Sequence, residues 1–405
     1  MPERHIFLAP HERPKSLYPL ARVYFRKWLV HPIKRRLARY YLMTLQRFFG
    51  LEVVGITGSS GKTTTKEMAA SILRQVGETV ASFGNIDPIY NIPTTILKCR
   101  PNTKFLVLEM GVEYEGEMDF YLWLAKPHVG VINNISQTHT LYLKNIEGVL
   151  KEKGKLVKEL KSKDFAILNH NDSRLANFTP GLAAKIVWIG ESCAVFAKEI
   201  SVRDDFKTHF LLNINSQNVG INLPALGEHF VENALAAAAV AFIFDIPLNL
   251  IKAGLETFKP PEHRLQPISL ANGILVLDDS YNSNPLALRS ALNVLSAVAK
   301  SRKKIAVLGD MLELGDEEIV RHQEIASWLQ DLSIKDVIGV GFLSRYFIDL
   351  LKKSDRLGNF IWVEDAKKAS IALEPLLISD SVVLVKGSRA MKLDYVVEKL
   401  VTKNE

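Results

Sequence analysis

The stretch "LEVVGITGSSGKTTTKEMAASIL", Leu51 to Leu73, constrains the fold most. A β-branched apolar run leads into a glycine turn, and a helix-like segment follows at once. Gly58 and Gly61 permit close approach of backbone to a ligand, and the first turn of the helix offers unpaired N–H groups to an anion. Strand, loop and helix in this order are the context of a phosphate-binding loop. The spacing is G-x-x-G-K-T, shorter than the common G-x-x-x-x-G-K-[ST]. Lys62 is placed to reach terminal phosphates and Thr63 to hold Mg²⁺. Thr57, Gly58, Ser59, Ser60, Gly61, Lys62, Thr63 and Thr64 are therefore the candidate ATP-binding residues.

A strand feeding such a helix implies a parallel sheet. "TKFLVLEMG" and "PHVGVINNIS" are two further, almost wholly apolar runs that suit strands buried on both faces. Residues 187–222 alternate in polarity and carry turn residues, so an antiparallel patch is expected there. "HFVENALAAAAVAFIF" reads as a helix. Beyond "KPPEHRLQ" a second alternation begins, with strand-like "GILVLDD", "KKIAVLGD", "KDVIGVG", "NFIWVED" and "SVVLVKG" separated by helix-like segments. The fold class is α/β: a central P-loop-type ATPase domain with a mostly parallel sheet, then a doubly wound, Rossmann-like domain. The expected divisions are a basic helical segment at 1–50, the central domain at 51–262 and the C-terminal domain at 263–405. Pro260 and Pro261 mark a hinge.

Two cysteines in 405 residues, Cys99 and Cys193, exclude a disulfide scaffold and a Cys-rich zinc site and suit a reducing cytoplasm. The net charge of +7 is unevenly spread: residues 1–50 hold 11 Lys/Arg against 2 Asp/Glu, and the rest holds 40 against 42. A body that is not basic argues against a nucleic-acid enzyme. The start carries charges where a cleavable leader has its apolar core. No apolar run there approaches the roughly 18–20 residues of a spanning helix. The segment reads either as a helical extension packed on the body or as a basic amphipathic helix in contact with an anionic membrane.

Two strand ends add candidate chemistry. Glu109 closes "FLVLEMG", and His139 follows "VINNISQT". In open α/β sheets ligands bind beyond the carboxyl ends of the strands. A carboxylate and an imidazole there are candidate Mg²⁺ ligands, with histidine the less common type. "LKEKGKLVKEL" carries Lys151, Lys153 and Lys155, which by spacing alone form a solvated helix face.

Taken together these blocks resemble the Mur ligases, ATP-dependent amide-forming enzymes of peptidoglycan synthesis. The matching blocks are "GITGSSGKTTTKEM", "LEMGVEYEGEM", "KPHVGVINNISQTH", "EKGKL", "LGEHFVENALAAAAVA", "EHRLQ", "DDSYNSNP", "VLGDMLELG" and "VKGSRAMKL". The last of these point to the branch that adds D-Ala-D-Ala to a UDP-linked muramoyl tripeptide. The resemblance implies γ-phosphate transfer to a terminal carboxylate, then attack of an amine on the acyl phosphate. It implies ATP and two Mg²⁺ ions, with Lys62, Glu109, His139 and Lys153 as catalytic residues and Thr63, Glu109, His139 and Lys153 at the metals. Lys153 corresponds to a lysine the family carbamylates, and the adjacent Lys151 and Lys155 leave that register open. Asn233 corresponds to a residue near adenine. Arg264, Asp279, Tyr281 and Asn284 correspond to nucleotide-facing positions, and Asn85, Lys386 and Ser388 to acceptor-facing ones.

The departures lie on the acceptor side. The family's branch carries a uridine-nucleotide-binding domain before the loop, and residues 1–50 do not read as a βα unit. Asp87-Pro88, Asn91, Glu113 and Ser136-Gln137-Thr138 replace the residues usual at those places. The expected partners are a nucleotide-linked or lipid-linked muramoyl peptide and D-Ala-D-Ala, with no nucleic acid. The enzyme is expected to be monomeric and cytoplasmic, with peripheral membrane contact through residues 1–50. A Mur-type ligase with another carboxylate acceptor is the alternative, and a non-catalytic nucleotide-binding scaffold is a third reading.

Overall fold

The computed structural model describes residues 25–404 except Asn85, His139, Pro180, Asp204, Asp355 and Arg356. A single turn of π-helix, Arg26–Val30, runs into α1 (His31–Phe49), which has Pro32 in its first turn, where a missing N–H costs nothing. Gly50 ends it in the left-handed region at φ 66°.

The first sheet has nine strands in the order β2-β3-β1-β4-β5-β6-β7-β8-β9. These are β1 (Glu52–Thr57), β2 (Thr79–Ala81), β3 (Phe105–Glu109), β4 (Val129–Ile132), β5 (Phe165–Asn169), β6 (Lys185–Ile189), β7 (Val195–Val202), β8 (Thr208–Ile214) and β9 (Gln217–Leu223). Pairing is parallel from β2 through β7 and antiparallel from β7 through β9. The expected antiparallel patch is thus present, except that its first run, β6, joins the parallel part.

Apolar residues on both faces of the central strands explain the layers. On one face Val54, Ile56, Phe105 and Val107 pack with α2 (Lys62–Leu73) and α6 (His229–Ile243). On the other, Val53, Leu106 and Leu108 pack with α1, α3 (Pro88–Ile96) and α4 (Glu117–Leu124). Further along that face α5 (Ile146–Lys158) covers β4 and β5 through Val149 and Val157.

The second sheet has six strands in the order β10-β11-β15-β12-β13-β14. They are β10 (Gln266–Ser269), β11 (Leu275–Asp279), β12 (Lys304–Gly309), β13 (Asp336–Val340), β14 (Asn359–Val363) and β15 (Val382–Lys386). All are parallel except β10. Helix α8 (Pro285–Ala299) follows β11, with Asn284 capping it through a bond from the Ala287 N–H. The carboxyl ends of β1 and β3 in one sheet and of β11 and β15 in the other look onto a common space.

The helix carrying the glycine loop is held from behind by α7 (Leu248–Thr257). The Ser71 hydroxyl donates to the Gly254 carbonyl at 2.7 Å. A Cβ on Gly254 would lie 2.5 Å from the Ile72 Cα, so only glycine lets the two backbones meet. Gly254→Ala is expected to cost about 1–3 kcal/mol through forced separation of the helices, read as a lower urea midpoint. An unchanged midpoint would mean that this contact does not fix α2.

Candidate functional site

The loop after β1 is shaped by two glycines and one asparagine. Gly58 (φ 149°) and Gly61 (φ 77°) adopt conformations that other residues rarely take. A Cβ on Gly61 would sit 2.1 Å from the Asn233 Oδ1. Asn134 fixes the loop's height: its carbonyl accepts from the Ser59 N–H and its side-chain oxygen from the Ser60 N–H, both at 2.9 Å. The first N–H groups of α2 then point outward beside Lys62. Lys62 Nζ curls back onto the Gly58 carbonyl at 2.9 Å. Burial lowers its pKa, and the Glu109 carboxylate opposes that shift.

The Thr63 hydroxyl donates to the Glu109 carboxylate at 3.1 Å. The Glu109 N–H in turn donates to the Ser82 hydroxyl at 2.8 Å, and fully buried Lys66 holds the Ser82 carbonyl at 2.6 Å. A hard cation fits beside this pair: hydroxyl and carboxylate oxygens are the donors Mg²⁺ prefers, and phosphates and water complete such sites. Among the described residues no three His, Cys, Asp or Glu gather into a metal cage.

The opposite wall comes from the second sheet and α6. The Arg264 guanidinium lies over the Tyr281 ring at 4.2 Å. Lys386, almost fully buried, pairs with Asp279 at 2.7 Å and donates to the Asn282 carbonyl at 2.8 Å. Burial raises the Asp279 pKa despite that ammonium. His229 lines the same wall, and burial, aided by Lys386, pushes its pKa down to about 4. The cleft between the two walls measures about 480 Å³.

Helix α5 separates its three lysines. Lys151 is 72% exposed, whereas Lys155 pairs with Asp119 and Glu152, both at 2.6 Å. Lys153 is fully buried behind Val112, its Nζ 3.5 Å from the Val112 carbonyl. Nearby carboxylates are engaged elsewhere: Glu117 accepts from the Glu113 and Tyr114 N–H groups, and Glu152 from those of Gly116 and Met118. Burial, reinforced by Lys62, pushes the Lys153 pKa well below the ordinary lysine range.

The cavity wall gathers Ser59, Ser60, Gly61, Lys62, Thr63, Thr64, Glu109, Asn233, Arg264, Asp279, Tyr281, Asn284 and Lys386. It does not include Thr57, whose hydroxyl is bonded to the Met110 carbonyl at 2.7 Å, nor Gly58, which contributes its carbonyl to Lys62. Ser388 also stands apart, accepting from the Leu312 N–H at 2.9 Å. Asn85 and His139 fall outside the described residues. The wall also holds Asp87, Glu113, Asn134, His229 and Glu232, which sequence reading did not select as site residues. His229 lies one helical turn before Asn233, which was the available signal for it, whereas Glu232, the adjacent residue, had no such signal.

The chain is similar to known proteins over most of its length. Residues 56–241 match the Mur ligase middle domain, and residues 263–389 the Mur ligase, glutamate ligase domain. The UDP-N-acetylmuramoyl-tripeptide--D-alanyl-D-alanine ligase of Escherichia coli K12 is 33% identical over 354 residues, covering 86% of this chain and 76% of that protein. The enzyme of the same name from Bacillus subtilis is 31% identical over 370 residues, covering 91% and 79%. Crystal structure I of MurF from Acinetobacter baumannii superposes with a TM-score of 0.83 at 29% identity, over 92% of this chain and 80% of that one. The MurF ligase from Thermotoga maritima, solved in complex with ADP, gives 0.82 at 25% identity, over 93% and 85%.

The buried Lys153 has a consequence for stability. Its native pKa is depressed, so between that value and the ordinary 10.5 the unfolded chain binds a proton that the folded chain does not. Its contribution to stability is therefore fully present above the unfolded pKa and is lost as pH falls through the native one. In CO₂-free buffer, Lys153→Met is expected to melt higher than the parent at pH 7, the gain shrinking as pH rises toward 10.5. A gain independent of pH would contradict a depressed lysine pKa at this position.

Proposed function

We propose, from the premise that this chain belongs to the Mur ligase family, that it joins D-Ala-D-Ala to the terminal carboxylate of a muramoyl tripeptide while cleaving ATP to ADP and phosphate. One observation carries the reading. Lys62, Thr63 and Glu109 face Arg264, Tyr281 and the Asp279–Lys386 pair across a single cavity. One side suits the triphosphate and the other suits the rest of the nucleotide and the acceptor. Most residues for each come from a different sheet, so their relative position decides turnover.

Phosphoryl transfer asks chiefly for positioning and charge neutralisation. The α2 N–H groups and Lys62 hold the β- and γ-phosphates in place, and Thr63 with Glu109 would hold Mg²⁺. That ion, when bound, neutralises charge developing on the transferred phosphoryl group. The acceptor carboxylate attacks the γ-phosphorus and ADP leaves. The amine of D-Ala-D-Ala then attacks the acyl carbon, and phosphate departs as the amide forms.

Lys153 fits a carbamate. Only a neutral amine adds to CO₂, losing a proton to solvent as the carbamate forms, and burial shifts Lys153 toward that neutral form. The product is an oxygen anion that suits Lys62 and a second Mg²⁺. His139 is proposed as the remaining metal-site residue, and Asn85 and Ser388 as acceptor-side residues.

The acceptor's carrier is proposed to be either a uridine nucleotide or a lipid. The second reading has its own observation: Asp87, Pro88, Asn91 and Glu113, four of the positions that depart from the family pattern, line the cavity. Phosphate release measured with D-Ala-D-Ala and each carrier form decides between them. Turnover with neither form, and with no other carboxylate, would leave a nucleotide-binding scaffold.

Lys62→Ala and Glu109→Ala are each expected to lower acyl-phosphate formation by about 10²–10³-fold, the effect of removing one preorganised electrostatic group. Near-normal turnover in Glu109→Ala would misplace the metal. Lys153→Ala is expected to lose activity and to regain part of it with added short carboxylates. Failure of rescue would count against the carbamate.

A further inference from the structure

Helix α1 has two different faces. Its inner face is fastened to the body by Ala38, Leu42 and Leu45 in the core. Polar anchors reinforce it: Lys34 Nζ donates to the Thr94 hydroxyl at 2.8 Å, and the Tyr41 hydroxyl to the Cys99 carbonyl at 2.8 Å. Arg35 is buried against the Tyr90 and Phe120 rings. The outer face, continued by Leu29 of the preceding π-helical turn, carries Ile33, Leu37, Tyr40, Met43 and Phe48, each of the six between 49% and 70% exposed. Their spacings of four, four, three, three and five residues keep them on one side of the helix. Arg36 and Arg47 are exposed among them. From Phe25 to Phe49 the chain holds seven Lys or Arg and no Asp or Glu.

This pattern limits what covers the face. A second copy of the chain, paired through the same helix, would set arginines against arginines with no acid to compensate. A nucleic acid would satisfy the cations and leave the aliphatic row against phosphates. A bilayer surface with anionic headgroups satisfies both, because acyl chains accept Leu29, Ile33, Leu37 and Met43 while headgroup phosphates meet the arginines. No described helix is long and apolar enough to cross a membrane.

We propose that α1 is an interfacial anchor that lays this protein on an anionic membrane surface. The placement has a consequence for the cavity. Helix α1 contacts α3 at Tyr90 and Thr94, and α3 contributes Pro88 and Asn91 to the cavity wall. The bilayer therefore lies on the flank that carries that wall. Binding of the surface does not depend on which acceptor the cavity takes.

The test is sedimentation of the full chain with vesicles of phosphatidylcholine, with and without phosphatidylglycerol, alongside Ile33→Glu/Leu37→Glu. The parent is expected to bind the phosphatidylglycerol vesicles, to bind phosphatidylcholine alone far less, and to release as salt rises. The double variant, with an unchanged melting temperature, is expected to bind more than about tenfold more weakly, since two aliphatic side chains no longer enter the acyl region. Equal binding by parent and variant, or no preference for phosphatidylglycerol, overturns the proposal. So does a dimer, or a complex with duplex DNA, that the double variant abolishes while vesicle binding is absent.

Discussion

The parallel pairing of β1 with β3 and β4 is the constraint on which the site depends. Ile56 stands opposite Glu109 and Thr57 opposite Ile132. That register brings the glycine loop, the carboxylate and the Asn133-Asn134 pair to one edge of the sheet. A slip of one residue would turn Glu109 to the opposite face and Leu108 toward the loop. The alternation of Val53 against Val54, and of Leu106 and Leu108 against Phe105 and Val107, prevents this, because each set fills a different core. The chemistry at the edge is thus registered by packing in the middle of the sheet.

Charge is the second theme. Lys62, Arg264 and Lys386 converge on a cavity of about 480 Å³, and Lys153 lies just behind its wall. Their carboxylate partners are incomplete or already engaged. Asp279 meets Lys386 directly, but Glu117 and Glu152 are bonded to backbone N–H groups near Lys153. A buried cation without a counter-charge is costly and either loses its proton or receives an anion. In the proposed reaction Lys62 gains phosphate, while burial shifts Lys153 toward the neutral amine.

Much of this was legible before any fold was considered. The loop motif, the buried strands and Glu109 at a strand end follow from local pattern, since apolar runs and glycine turns act over a few residues. Sheet order was not legible: β15, last in the chain, inserts between β11 and β12, and nothing near it in sequence reports that. The three lysines of α5 look alike in sequence, and only burial separates Lys153 from Lys151 and Lys155. Glu232 was hidden at the start of an alanine-rich helix that reads as core, and only the one-turn spacing from Asn233 pointed to His229. Thr57 belongs to the motif, yet its hydroxyl faces the neighbouring strand. Of the two readings of the N-terminal segment, the packed extension describes the inner face of α1, and residues 1–24 of that segment lie outside the described residues.

In the proposed reaction a carboxylate receives the γ-phosphate. The most direct measurement is to label the muramoyl tripeptide's terminal carboxylate with ¹⁸O, supply ATP and D-Ala-D-Ala, and analyse the released phosphate by mass spectrometry. With both carboxylate oxygens labelled, one ¹⁸O atom is expected in each phosphate, because amide formation breaks the bond between acyl carbon and the bridging oxygen. Unlabelled phosphate, or label appearing in AMP, would contradict it.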